Sequence, residues 1–322
     1  MKSLIKPEAE KRHVNGIGRQ FQSPLYVVSI GSLVAVNFAL AKYAVTIGIP
    51  PIDVAIIPMA GAALLLMTLL VIQGQLNRTA LVHYRYYLWA GLLGVAIPNL
   101  ASTYALQSLN TSTFSVLVTL SPIFTLLFTL PFQGSSLTWR KVLGIMVGVV
   151  AALSVTLSPQ MNTSSPWSAL AIALLVPIFL AAGNVYRSRA FPPLANPIVL
   201  AAGMLTLQSM IWLPFTHAVD GEFIPNGAGV LALMASLSAL SYLLTFRFQR
   251  ITDGLGFSQV GNVVTVVGVS IGITWYGEPL TLQLIAAVIL LLISLYLFNH
   301  AKLNLVQIQI SSNSKEQLLC HH

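Results

Sequence analysis

The chain has 322 residues, of which 56% are hydrophobic and 7% charged, and its mean hydropathy is +0.81. An average soluble domain carries roughly 25% charged residues, so this is the composition of an integral membrane protein. The net charge of +8 comes from basic residues lying between apolar runs, not on a face with interleaved aromatics, which argues against a nucleic-acid partner.

The single cysteine, Cys320, excludes an internal disulfide and a cysteine-built metal site. Residues 1–23 are polar, with neither an apolar core nor a small-residue cleavage site, so no removable signal peptide is expected. A bilayer core of about 30 Å needs roughly 20 apolar helical residues. Runs of that kind, bounded by Pro, Gly, Asn or charge, occur near 25-47, 51-72, 87-107, 112-132, 141-158, 167-186, 197-216, 229-249, 256-276 and 281-299. The expected fold class is all-α integral membrane, with ten transmembrane helices.

The basic residues orient these spans by the positive-inside rule. Lys2, Lys6, Lys11, Arg12 and Arg19 precede span 1, and Arg78 and Arg85 follow span 2. Arg140 and Lys141 follow span 4, Arg187 and Arg189 span 6, Arg247 and Arg250 span 8, and Lys302 and Lys315 span 10. All fall on one side; the opposite loops hold Asp53, Asp220, Glu222 and Glu278. Both termini are therefore expected to be cytoplasmic, with Lys42 the only basic residue inside a span.

The sequence also matches itself. FQGSSLTWRKV (132-142) lies over WYGEPLTLQLI (275-285), and TSTFSVLV (111-118) over GLGFSQVG (254-261), both at an offset of 143. Asn37 and Lys42 lie over Asn184 and Arg189, and Pro50 over Pro197, at an offset of 147. The chain thus divides into an N-terminal segment 1-24, spans 1-5 over 25-158, spans 6-10 over 167-299, and a tail 300-322. Five spans is an odd number, so the second half is expected to be inverted relative to the first, a transporter architecture with its site near midplane.

YALQSLNTSTFSVLVTLSPIFTLLF (104-128) followed by LTWRKVLGIMVG (137-148) resembles the end of an EamA repeat of the drug/metabolite transporter superfamily. NFALAKYA (37-44) and GEPLT (277-281) carry the same resemblance, which extends from about 25 to 299. It implies a 10-helix exporter or permease of the bacterial inner membrane, for amino acids or other small metabolites, with a central cavity formed by both halves. The chain departs from the family pattern at Pro58, where an arginine is frequent, at Gly134-Ser135, where a Gly-Glu motif is usual, and at Thr265, where a proline is frequent.

A lysine at bilayer depth costs about 2.5 to 3.5 kcal/mol on insertion scales. Lys42, roughly 8 Å below the outer end of span 1, either snorkels to the interface or serves as a cavity cation for a carboxylate or phosphate; the family's frequent lysine here favours the second. Asn37 lies about 140° away round the helix, and either lines the cavity or bonds a neighbouring helix. Asn184 is its repeat partner.

Ser115, Thr119 and Pro122 form one stripe of span 4 and map onto Ser258, Asn262 and Thr265 of span 9, with Gln259 on an adjacent face. The hydroxyls have an alternative in their own i-4 carbonyls, whereas an amide needs several partners. Pro122 frees a backbone carbonyl and provides a place to bend, Gly268 permits close helix contact, and these two are the expected gating or hinge positions. Asn99 and Thr103 of span 3 map onto Tyr242 and Phe246 of span 8. Tyr242 is the expected aromatic wall, completed by Gln208 and Trp212 on one face of span 7.

All eight carboxylates lie outside the spans or at their edges, and the six histidines lie in loops or tails. An intramembrane acidic relay thus has no candidate, and no Walker A, HExxH or GxSxG pattern appears. The reading is a carrier, not an enzyme, with no cofactor and no metal, functioning as monomer or homodimer in a lipid bilayer. Its small-molecule substrate would occupy a cavity between spans 1, 3, 4, 6, 8 and 9. One alternative is uptake or exchange of a nucleotide-like or phosphorylated metabolite, which needs a second deep cation, Arg189 or Arg247. The other is a membrane sensor that binds a ligand without moving it.

Overall fold

The computed structural model describes residues 6–75, 82–133, 139–156, 167–192, 195–217, 227–252, 254, 257, 259–290 and 292–294, with side chains at most of these positions from Pro24 onward. Among the described residues the regular elements are all helical. α1 spans Lys6–Thr46, α2 Pro51–Ile72 and α3 Tyr84–Gly91; a π-helical turn, Leu92–Ala96, leads into α4, Ile97–Leu106. α5 (Thr111–Val118), α6 (Ser121–Gln133) and α7 (Trp139–Thr156) follow. The second half holds α8 (Trp167–Arg189), α9 (Pro197–Trp212), α10 (Ala228–Gln249), α11 (Val260–Tyr276) and α12 (Leu282–Ser294). Among the described residues six helical stretches are long and apolar enough to cross a membrane: Pro24–Thr46, Pro51–Ile72, Thr111–Thr129, Trp167–Arg189, Pro197–Phe215 and Ala228–Gln249. Gly134-Ser135, Ser258 and the C-terminal tail lie outside the described residues.

Proline and glycine set the helix ends. Pro51 and Pro197 occupy the first helical positions, where a missing N–H is no loss. Asn196 caps α9 by accepting from the Ile198 N–H at 3.0 Å. Gly277, at φ +62°, closes α11 in the left-handed conformation, and the Glu278 N–H then donates to Gly272 O at 3.0 Å. This turn aims the Glu278 carboxylate at the start of α5, where it accepts from the backbone N–H groups of Thr111 and Ser112 at 2.7 and 2.9 Å. A negative group at the positive end of a helix is stabilising.

Pro98 acts inside a span. It has no N–H to offer Gly94 O, and the helix relaxes there into a π turn, where the Ile97 N–H bonds Leu92 O. Pro122 has a comparable effect: the helix is interrupted between Val118, the end of α5, and Ser121, the start of α6.

α1 packs against α10 and α11, α2 against α9 and α10, and α8 against α4 and α6. One apolar cluster joins residues of α1, α4, α5 and α8; a second joins α2, α3 and α9. Outward faces stay apolar: Leu64, Ile72 and Leu282 are 70%, 77% and 80% exposed. Helices apolar on both faces require a lipid surround.

Two crossings depend on glycine. A Cβ at Gly183 of α8 would lie 2.5 Å from the Gly94 Cα in the π turn, so the two backbones touch. At Gly268 and Gly272 of α11, a Cβ would meet the Ser115 and Ser112 hydroxyls of α5 at 2.0 and 2.3 Å. Gly268, expected as a hinge, therefore stands at a tight helix crossing. Because Gly183 meets backbone, which cannot rotate away, Gly183→Ala is expected to lower the thermal midpoint of the purified protein, an overpacking cost of about 1–3 kcal/mol. Gly229→Ala, where a Cβ meets nothing within 4 Å, is the control that should leave the midpoint unchanged.

Candidate functional site

A cavity of about 140 Å³ lies at the junction of six helical segments. Its wall takes Asn37 from α1, Gly94, Pro98 and Asn99 from the π turn and α4, and Val118 and Ser121 from the α5–α6 break. Across it stand Asn184 and Arg187 of α8, Tyr242 of α10, Phe257 just before α11, and Val260, Gly261 and Val264 in its first turns. The break and the π turn are what turn backbone and side chains toward this space.

The polar groups form small sets. The Ser238 hydroxyl donates to Asn37 Oδ1 at 3.4 Å, while Asn37 Nδ2 donates to Leu33 O at 3.1 Å. Asn99 hydrogen-bonds the Tyr242 side chain. Ser238, Ser241, Tyr242 and Thr245 follow one another at helical spacing along α10 and all line the cavity.

Arg187 dominates the electrostatics. Its side chain is 2% exposed although it stands in the last turn of α8. Nη2 donates to Asn184 Oδ1 at 2.8 Å and Nε to Gly183 O at 3.3 Å. The Cζ sits 5.7 Å from the Phe257 ring centroid. A Cβ at Gly94 would lie 3.1 Å from Cζ, closer than ordinary van der Waals contact, so glycine here gives the guanidinium room. Among the described residues no carboxylate pairs with it. A membrane-buried cation of this kind marks a functional site by default.

This placement corrects the expectation that Lys42 is the only basic residue within a span. By sequence Arg187 groups with the loop arginines because it ends an apolar run. The structure folds it inward, since the glycine crossing opens a slot beside α8. Arg189 and Arg247, the cations considered for a second deep charge, are exposed. Ser241 and Ser121 are further lining residues outside the sequence expectation; the helical spacing of Ser241 with Ser238 and Thr245 was the available signal.

Of the residues expected to bind substrate, Asn37, Asn99, Asn184 and Tyr242 reach the cavity. The others do not. Lys42 Nζ donates to Leu106 O and Leu109 O at 2.7 and 3.0 Å, capping the end of α4. Thr103 bonds Leu100 O, and Thr119 bonds Val116 O. Ser115 packs on Gly268, and its carbonyl accepts from Thr265 Oγ1 at 2.8 Å. Gln208 lies over Gly91 and donates to Leu88 O at 3.0 Å, and Trp212 sits beside Phe215. Asn262 Nδ2 donates to Gln259 Oε1 at 2.8 Å, so these two amides satisfy each other in part. Pro122 stands just past the break and Gly268 at the α5–α11 crossing, neither on the cavity wall.

Lys42 and Glu278 grip the same turn from two sides: the ammonium takes the carbonyl end of α4, the carboxylate the N–H end of α5. Each opposes the partial charge of its helix terminus. Lys42→Met would leave the Leu106 and Leu109 carbonyls without this donor, a loss of about 1–3 kcal/mol. A lower thermal midpoint is expected, with ligand affinity at the cavity changed less than threefold; a large affinity loss at unchanged stability would place Lys42 in the binding site instead.

Residues 23–157 match the EamA-like transporter family. An uncharacterized transporter of Archaeoglobus fulgidus is 23% identical over 64% of this chain and 74% of its own. The uncharacterized transporter YvbV of Bacillus subtilis is 23% identical over 82% of this chain and 87% of its own. A protein of known crystal structure, 14% identical, superposes with a TM-score of 0.57 over 86% of this chain and 94% of its own, a likeness of fold. With apolar helices fit to cross a membrane and relatives described as transporters over much of its length, the chain is a multi-pass membrane protein whose residues 23–157 are similar to the EamA-like transporter family.

Proposed function

We propose that this protein is a secondary transporter that exports small polar metabolites of amino-acid size across the bacterial inner membrane by alternating access. Two five-helix halves, inverted relative to one another and with both termini in the cytoplasm, would rock about the central cavity. The observation that carries this reading is the composition of the cavity wall. Asn37 and Asn184, and likewise Asn99 and Tyr242, occupy matching offsets in the two halves of the sequence and line the same cavity. Residues that correspond across a repeat and converge on one enclosed space support a site shared by both halves.

The wall also favours a carrier over a catalyst. An intramembrane enzyme needs paired acids, a ligand cluster or an activated nucleophile. Among the described residues the lining offers amides, hydroxyls, one phenol and one guanidinium, which suit recognition of a substrate. The nucleotide-like alternative calls for further positive charge on the wall, and among the described lining residues Arg187 is the one cation.

Counterflow in reconstituted vesicles tests the proposal. Vesicles loaded with an unlabelled amino acid are expected to accumulate the labelled one transiently, above protein-free vesicles. Tyr242→Ala should reduce that accumulation at least about tenfold, the loss expected when a hydrogen-bonded aromatic contact to substrate is removed. Saturable binding with no flux would instead identify a sensor.

A further inference from the structure

Resting on the carrier reading, we propose that Arg187 is the anion-recognition residue of the cavity. We infer that the substrates are organic monocarboxylates, free or as the carboxylate of an amino acid, with a body about the size of one aromatic ring. The argument starts from the charge. A guanidinium does not shed its proton, so burial cannot neutralise it and an anion must be close for the site to be stable. Of the acids whose side chains are described, Asp53 accepts from the His217 N–H at 2.9 Å and Glu278 caps α5, so both are engaged elsewhere. The remaining neighbours are the neutral phenols of Tyr86 and Tyr242.

The geometry then says where the anion sits. Gly183 O and Asn184 Oδ1 occupy Nε and one N–H of Nη2. Nη1 has no hydrogen-bond partner among the described residues. The open edge of the fork is therefore the Nη1/Nη2 pair, the edge that receives a carboxylate through two parallel N–H···O bonds. The contact with Phe257 and the slot over Gly94 hold the plane of the guanidinium before any ligand arrives. A fork already oriented loses little freedom on binding.

The rest of the wall sets the body of the substrate. Val34, Phe38, Leu180 and Val264 supply an apolar lining. The cavity, at about 140 Å³, is comparable to the engineered apolar cavity of about 150 Å³ that holds benzene. One guanidinium matches one negative charge; a phosphate dianion would bring a second without a partner among the described lining residues.

The test uses the full-length protein in detergent, titrated with benzoate, L-phenylalanine, benzamide and phenyl phosphate and followed by its thermal midpoint. Benzoate and L-phenylalanine are expected to stabilise saturably and to compete with each other. Benzamide and phenyl phosphate should act at least about tenfold more weakly, the difference a charge-assisted pair makes. Arg187→Met should weaken benzoate at least about tenfold and abolish its advantage over benzamide, with Arg187→Lys retaining part of it. Equal stabilisation by benzoate and benzamide in the unaltered protein, or by neither, overturns the proposal even if no Arg187 variant folds. So does a folded Arg187→Met protein that still prefers the anion. Arg187-dependent binding without counterflow would uphold the anion site and remove the carrier reading; counterflow with no preference for the anion would do the reverse.

Discussion

A permanent positive charge held out of water is the constraint around which this structure is organised. Arg187 is all but inaccessible, and an isolated ion in a low-dielectric interior is among the costliest features a protein can carry. The surroundings are built to tolerate it: Asn184 and the Gly183 carbonyl accept from it, Phe257 offers its ring, and the last turn of α8 contributes its negative dipole end. Gly94 and Gly183 together make the slot, and the π turn that positions Gly94 follows from the N–H that Pro98 lacks. A chain of cause thus runs from one proline in span 3 to a charge aimed into the cavity.

The same requirement explains Lys42 and Glu278. Lipid supplies no hydrogen bonds, so every helix end must be satisfied from within the protein. Lys42 and Glu278 do this for the 106–112 turn, one accepting the role of donor to carbonyls, the other of acceptor for N–H groups. Their charges complement helix termini and so make the turn rigid; they leave the cavity with a single uncompensated cation among its described lining residues.

Much of this was legible in the sequence. Pro51, Pro197 and Gly277 mark helix ends because their backbone chemistry is local, and local chemistry can be read one residue at a time. The offsets that pair Asn37 with Asn184 and Asn99 with Tyr242 were visible for a different reason: correspondence between halves survives in residue order. What could not be read depends on neighbours distant in the chain. The stripe Ser115, Thr119, Pro122 was readable as a stripe but not its direction: Ser115 packs on Gly268 and Thr119 bonds Val116 O, while Val118 and Ser121 reach the wall. Arg187 read as a loop-edge cation, since its burial depends on a glycine some ninety residues away. The fate of Lys42 likewise required knowing where two carbonyls of another helix would be.

The central claim, that Arg187 receives a substrate carboxylate inside the cavity, is tested most directly by diffraction from crystals grown with 4-bromobenzoate, whose bromine reports its position through anomalous scattering. The account predicts bromine density among Phe38, Leu180 and Val264, with the carboxylate about 3 Å from the Nη1/Nη2 edge. Bromine located away from the cavity, or a carboxylate turned away from Arg187, would contradict it.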